Sequence, residues 1–166
     1  MFLSIWRCIT LMFAALSLTM TSAHVLELPQ KMQYDAHMYA AVNTTLYRYF
    51  AIVGGFYTVT SILATATLAF LVRKRGSTFR WTLAGAICLM LAFGTWLMLV
   101  APVNSKIAQA IGSAPESIPA LWMQLRDRWE YGHVVGFVLT LTGFGFLVIS
   151  LLAEIPKDAA TQASKA

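Results

Sequence analysis

Residues 49–103 read YFAIVGGFYTVTSILATATLAFLVRKRGSTFRWTLAGAICLMLAFGTWLMLVAPV. Two apolar runs, Tyr49 to Val72 and Trp81 to Val103, flank a short link carrying Arg73, Lys74, Arg75 and Arg80. Each run reaches the roughly 20 residues that an α-helix needs to cross the hydrocarbon core of a bilayer. A basic link between two such runs belongs in the cytoplasm by the positive-inside rule. These residues therefore read as a membrane hairpin with its turn inside.

Working outward, Ile5 to Leu26 and Gly132 to Ala153 supply two further spans. Arg7 interrupts the first near its start, where a long side chain can snorkel to the interface. The fold class is all-α: a four-transmembrane-helix bundle over residues 1–155, followed by a short polar tail at 156–166. The composition agrees, since 58% of the 166 residues are hydrophobic and only 11% are charged. A soluble domain with so few charges would lack a polar shell, whereas a lipid-facing girth needs none. The lipid bilayer is the expected partner, with both termini cytoplasmic and loops one and three outside. A net charge of +5 spread in no stripe argues against nucleic acid. Thr21-Ser22-Ala23 also offers a small-residue cleavage site, which would expose His24 as a new N-terminus able to grip copper. Cys8 and Cys88 form no CxxC and read as small buried thiols.

The helices should outrun the membrane on the outer side. Asp35 is placed to cap a helix through Tyr39, Asn43 and Tyr47 into span two. Gly112-Ser113-Ala114-Pro115 is a break, and Pro119 suits the first turn of a helix passing through Arg126 into span four. Ser61, Thr65 and Ala69 in span two, and Ala84, Cys88 and Ala92 in span three, recur every fourth residue as packing seams. A dimer face on one of them stays open.

Chemistry gathers in two mirrored motifs, His24-Val-Leu-Glu27 and Glu130-Tyr-Gly-His133. Residues three apart share a helix face, so each motif presents an imidazole and a carboxylate together. Topology puts both at one membrane surface. On the fourth helix Trp122, Arg126, Trp129, Glu130 and His133 fall within an arc of about 100°. Gly136, Phe137 and Thr140 continue the stripe, while Asp127 and Arg128 point away. A pocket lined by Asn104, Trp122, Trp129 and Phe137 is expected there.

Three readings of the cluster stay open. Arg126 could pair with Glu27 or Glu130, with the histidines completing a hydrogen-bond network that locks the bundle. His24, Glu27, Glu130 and His133 could hold a metal ion, although that is a minimal set beside the di-metal carboxylate bundles. Or His24 or His133 could act as a general base tuned by its carboxylate, with Arg126 or Asn104 holding an oxyanion. Asn104, after Pro102 where span three ends, otherwise reads as a cap or turn residue. Lys31 could anchor at the interface or neutralise Glu27, and His37 reads as exposed. No phosphate-binding or dinucleotide motif occurs, and the lack of charge near the midplane disfavours an ion pump or proton-coupled transporter.

Pro102-Val103-Asn104, Trp122, Arg126 and Arg128-Trp129-Glu130-Tyr131-Gly132-His133, set among four short spans, resemble the anthrone-oxygenase-like family of small membrane proteins. His24-Val-Leu-Glu27-Leu-Pro29 resembles a bacterial branch of it, mostly of unknown function. Many members carry an arginine about three residues after the histidine, where Gly136 and Phe137 stand here. The resemblance implies an oxygenase that takes a proton from an activated methylene of a polycyclic phenol and lets the carbanion meet oxygen without a cofactor. The aromatic lining and the histidine-carboxylate pairs would suit that chemistry, and His24, Glu27, Arg126, Glu130 and His133 are the expected catalytic residues. The ligand would be a small aromatic or quinone-like molecule, and the location a bacterial inner (plasma) membrane. For cofactors the expectation is none or a bound metal ion. The alternative is a non-enzymatic accessory or structural subunit whose Arg-Glu-His cluster only locks the helices.

Overall fold

The computed structural model describes residues 1–154. Among the described residues there are six α-helices: α1 (Phe2–Lys31), α2 (Ala36–Thr45), α3 (Phe50–Leu71), α4 (Gly76–Thr95), α5 (Ala101–Ser113) and α6 (Ile118–Leu152). Four helical stretches are long and apolar enough to cross a membrane: Phe2–Lys31, Phe50–Leu71, Gly76–Ser113 and Pro115–Leu152. The chain is an integral membrane protein of all-helical build.

Three of these stretches outrun the limits expected from hydropathy (5–26, 81–103 and 132–153). Run length marks only the hydrocarbon part of a helix, and the backbone continues wherever nothing breaks it. The 35 residues of α6 make a rod of roughly 52 Å, against a core of about 30 Å. Asp35 does cap α2, its side chain accepting from the Met38 N–H at 2.8 Å. The expected single rod into span two is broken, however, by a tight 3-10 turn at Leu46–Tyr49. Gly76, with φ of 45°, makes the reversal between α3 and α4 where a side chain would be strained. The polar tail at 156–166 lies outside the described residues.

Between α4 and α5 the helix widens into a π-turn at Trp96–Val100. Pro102 follows at the second position of α5 and has no N–H, so the Met98 carbonyl four residues earlier loses its helical donor. Arg128 of α6 supplies the missing donor at 2.6 Å. Arg128 is exposed and points away from the cavity, as expected, and makes this bond besides.

The long helices form a ring: α1 packs on α3 and α6, and α4 packs on the same two. Near the basic link the ring is tight. Gly85 and Gly143 let α4 and α6 touch backbone to backbone, since a Cβ at Gly143 would lie 3.2 Å from the Gly85 carbonyl oxygen. Thr82 and Ser150 share a hydrogen bond of 2.7 Å, and Ser17 and Thr58 one of 3.0 Å. Ser61, Thr65 and Ala69 are buried as expected. In α4 the buried stripe is Thr78, Thr82, Gly85, Leu89 and Ala92. It is turned slightly from the expected one, leaving Ala84 and Cys88 half-buried. Cys8 is exposed on α1 rather than buried.

Arg7 does not simply snorkel. It meets Glu154 at 2.5 Å, and Arg75 meets the same carboxylate at 3.2 Å. Three segments are thereby tied at one end. The Arg7 guanidinium, with Arg75 behind it, holds the Glu154 carboxyl below the usual carboxylate range. A depressed folded-state value means stability that is present above the ordinary carboxylate range and lost as pH falls through the lowered one. Thermal melting in detergent should therefore hold steady from neutral pH to about 5 and drop below about 4. Glu154→Gln should flatten that drop. Identical acid profiles for the two proteins would remove the pair from any stabilising role.

Candidate functional site: a histidine-walled cavity

Away from the basic link the ring opens. Residues 50–60 of α3 bury nothing, whereas Ser61, Ala64, Thr65, Leu68 and Ala69 further along it do. The space left is a cavity of about 460 Å³, within the 300–1,000 Å³ range of small-molecule sites. It lies between two packed clusters, Ala14 with Leu89 and Leu147 below, and Tyr39, Val100, Val103, Ile107, Trp122 and Trp129 above. Its floor is formed by Met20, Gly54, Ala92, Gly136 and Thr140, whose hydroxyl is engaged by the Gly136 carbonyl. A Cβ at Gly136 would meet nothing within 4 Å, so this position is open volume.

His24 and His133 both line the cavity. The two mirrored motifs do converge, and their rings stack at 3.9 Å with 28° between planes. Trp129 sets its edge against both, at 5.0 Å from His24 and 4.3 Å from His133. Tyr47 and Phe50 close on His24 from the other side, at 4.9 and 5.4 Å. The Trp129 Nε1–H donates to Asn104 Oδ1 at 2.9 Å. Asn104 is therefore a residue inside α5 that faces the cavity, not a cap or turn. Its bond to Trp129 fixes which end of the amide is oxygen and leaves Nδ2 as a donor. Trp122 lines the cavity too, but Phe137 does not; Gly136 and Thr140 take that face.

The carboxylates have gone elsewhere. Glu130 is buried behind Trp129 and meets Lys31 Nζ at 2.9 Å, while Glu27, still half-exposed, lies 3.9 Å from the same ammonium. The Tyr39 hydroxyl donates to the Glu130 oxygen that faces Lys31. Burial, and then that bond to Glu130, push the Tyr39 phenol well above its ordinary value, so it stays a donor. Lys31 Nζ also sits over the faces of Trp129 and Tyr47, at 4.5 and 4.9 Å. Lys31, Glu130 and Tyr39 form one buried ion network beside the cavity, at side-chain exposures of 3% and 1% for the charged pair.

Two expectations change here. Arg126 pairs with neither Glu27 nor Glu130; it contacts the Met32 carbonyl and Asp127, each at 3.4 Å, and does not line the cavity. Lys31 is the cation instead, because α1 runs past Leu26 for more than a turn and delivers Lys31 opposite Glu130. The metal set His24, Glu27, Glu130 and His133 does not assemble either. Imidazole lone pairs lie in the ring planes, so stacked rings aim past a shared point, and the carboxylates are engaged with Lys31. Among the described residues no group of three or more His, Cys, Asp or Glu could hold a metal ion. Nor does either histidine have its carboxylate as a hydrogen-bond partner. His37 is exposed as expected.

Around the cavity several buried polar atoms have no protein partner: His24 Nδ1, His133 Nε2, Trp122 Nε1 and Asn43 Oδ1. Buried polar groups in folded proteins are nearly always paired, so such a concentration at one void sets this part of the bundle apart from the rest. Tyr39 and Tyr47 were missed as site residues, although Tyr39, Asn43 and Tyr47 recur at the four-residue spacing of one helix face.

Fold and cavity together define a small four-helix membrane protein with a cavity at one end of its bundle. The chain belongs to the anthrone oxygenase family, whose model matches residues 44–146. Asn104, Trp122, Trp129, Glu130 and His133 lie within the match, while His24, Lys31 and Tyr39 precede it. No curated protein and no solved structure matches the chain.

Proposed function

We propose that the cavity binds a planar polycyclic phenol and oxidises its activated methylene with molecular oxygen, without a resident cofactor. The observation that carries this reading is the stacked His24–His133 pair in the wall of an aromatic chamber. An imidazole nitrogen takes one methylene proton, and the enolate left behind is stabilised by N–H donors on its oxygen. Asn104 Nδ2 and Trp122 Nε1, both at the cavity wall, would be those donors. The carbanion carbon gives an electron pair to O₂ in forming the C–O bond, and the peroxide oxygen collects the proton. Loss of the second methylene proton then breaks the O–O bond and expels water. The balance is R₂CH₂ + O₂ → R₂C=O + H₂O. The locking role divides from this chemistry: Lys31, Glu130 and Tyr39 fasten the helices, and the histidines are left to the cavity.

Sidedness belongs to the same proposal. The basic link at Arg73–Arg80 faces the cytoplasm of a bacterial plasma membrane, and α2, α5 and the first third of α6 stand at the outer face with the cavity.

The test is oxygen uptake by purified protein in detergent with a tricyclic anthrone as probe. The wild type should consume one O₂ per methylene oxidised, well above the uncatalysed rate. Gly136→Phe should fill the floor of the chamber, abolish uptake and leave the melting temperature close to wild type. Uptake at the uncatalysed rate by the wild type, or full activity in Gly136→Phe, would end the proposal.

A further inference from the structure

The chamber has a mouth, and its position says where a ligand comes from. Of the residues that line the cavity, three are exposed: Ala51 in the first turn of α3, and Ala108 and Ile111 on α5. These belong to elements on opposite sides of a gap. Both α2 and α5 pack against α6, but no substantial packing joins α5 to α2 or α3. Among the described residues the start of α3 and α5 therefore face each other across the cavity without packing together. A Cβ at Gly55 on the same edge would meet nothing within 4 Å, so the opening is not filled by neighbouring side chains.

On α3 and the π-turn the surface beside this gap is apolar, while α5 adds the exposed Ser105 and Gln109. Ile52 on α3, beside Ala51, is 69% exposed, and Leu97 in the π-turn is 50% exposed. A mouth meant for water would be rimmed by polar groups, because an exposed apolar patch of this kind is costly in water and free in lipid. On its other side the gap passes to Asn43 and Thr44 of α2, which also line the cavity. The rim is apolar toward the bilayer and polar away from it, as suits an opening level with the lipid headgroups.

We infer that the cavity is loaded sideways from the bilayer, through the gap between α3 and α5, and that its ligand is an amphiphile dissolved in the membrane. The ring system slides in from the acyl-chain side, and its oxygens stay toward Asn43, Asn104 and Trp122. The inference deepens the proposed function, on which it relies only for the choice of probe.

Two measurements test it. Nitroxide labels at Ala51→Cys and Ala108→Cys, in a Cys8→Ser, Cys88→Ser background and phosphatidylcholine vesicles, report which medium the mouth touches. Collisions with oxygen should exceed those with a water-soluble nickel chelate at both positions; the reverse ordering would make the mouth aqueous and overturn the inference. The second follows binding of a tricyclic anthrone under nitrogen in the same vesicles. Ala108→Trp should slow association and release alike, by about tenfold or more, so that Kd changes far less than either rate. Unaltered rates would mean that the ligand uses another route. Lipid contact at both labels without anthrone binding would instead uphold the membrane-facing mouth and sink the oxygenase reading.

Discussion

Replacing Lys31 by methionine is expected to lower the stability of the protein by about 3–5 kcal/mol, the usual cost of stripping one partner from a buried ion pair. Lys31 and Glu130 are almost wholly enclosed, 2.9 Å apart. Methionine matches the length of the lysine stem and keeps contact with Trp129 and Tyr47, so what is lost is the charge. Glu130 would then retain only the Tyr39 hydroxyl as a donor, and its own second oxygen is already without a partner. Combining Lys31→Met with Glu130→Gln should recover most of the loss, because the uncompensated charge goes with the carboxylate. Equilibrium unfolding in detergent, followed by circular dichroism, reads both effects. A wild-type midpoint for Lys31→Met would show that the pair holds nothing together.

His133→Ala is expected to lower turnover of the anthrone probe by about 10²–10⁴-fold, the range for losing a positioned general base. Binding measured under nitrogen should change only a few-fold, since the aromatic walls and the donors from Asn104 and Trp122 remain. The stack with His24 makes a further demand. If both imidazoles serve one proton transfer, the double variant His24→Ala, His133→Ala should be little worse than the more damaging single variant. Additive losses would assign the two rings to separate steps. Full turnover in both single variants would remove the histidines from the chemistry.

The fold was legible in the sequence to a degree set by what hydropathy measures. Run length and the basic link yield four apolar helices, but not their ends, because a helix does not stop where the lipid does. That is why the sequence offers Lys31, beyond the expected edge of span one, only as an interface anchor or a partner for Glu27. Periodicity on α6 correctly put Trp122, Trp129 and His133 on one face. It cannot say which helix that face meets, so the sequence leaves Arg126 as one candidate for the pairing that Lys31 makes. Each cation is within reach of a carboxylate in sequence terms, and only the ring order of the helices separates them. The meeting of His24 with His133 followed from antiparallel topology, whereas their stacking, which removes a shared metal, depends on side-chain direction. Tyr39 was invisible as a site residue because its partner lies 91 positions away.

Gly136 carries a consequence for selectivity. The floor of the chamber is bounded there by a single hydrogen atom, with nothing nearby to repack. Every methyl group added at this position would subtract from the void without disturbing a helix contact. Position 136 is thus a ruler: graded substitutions from glycine through alanine to valine should shorten the largest ring system admitted, step by step, while leaving the histidines in place.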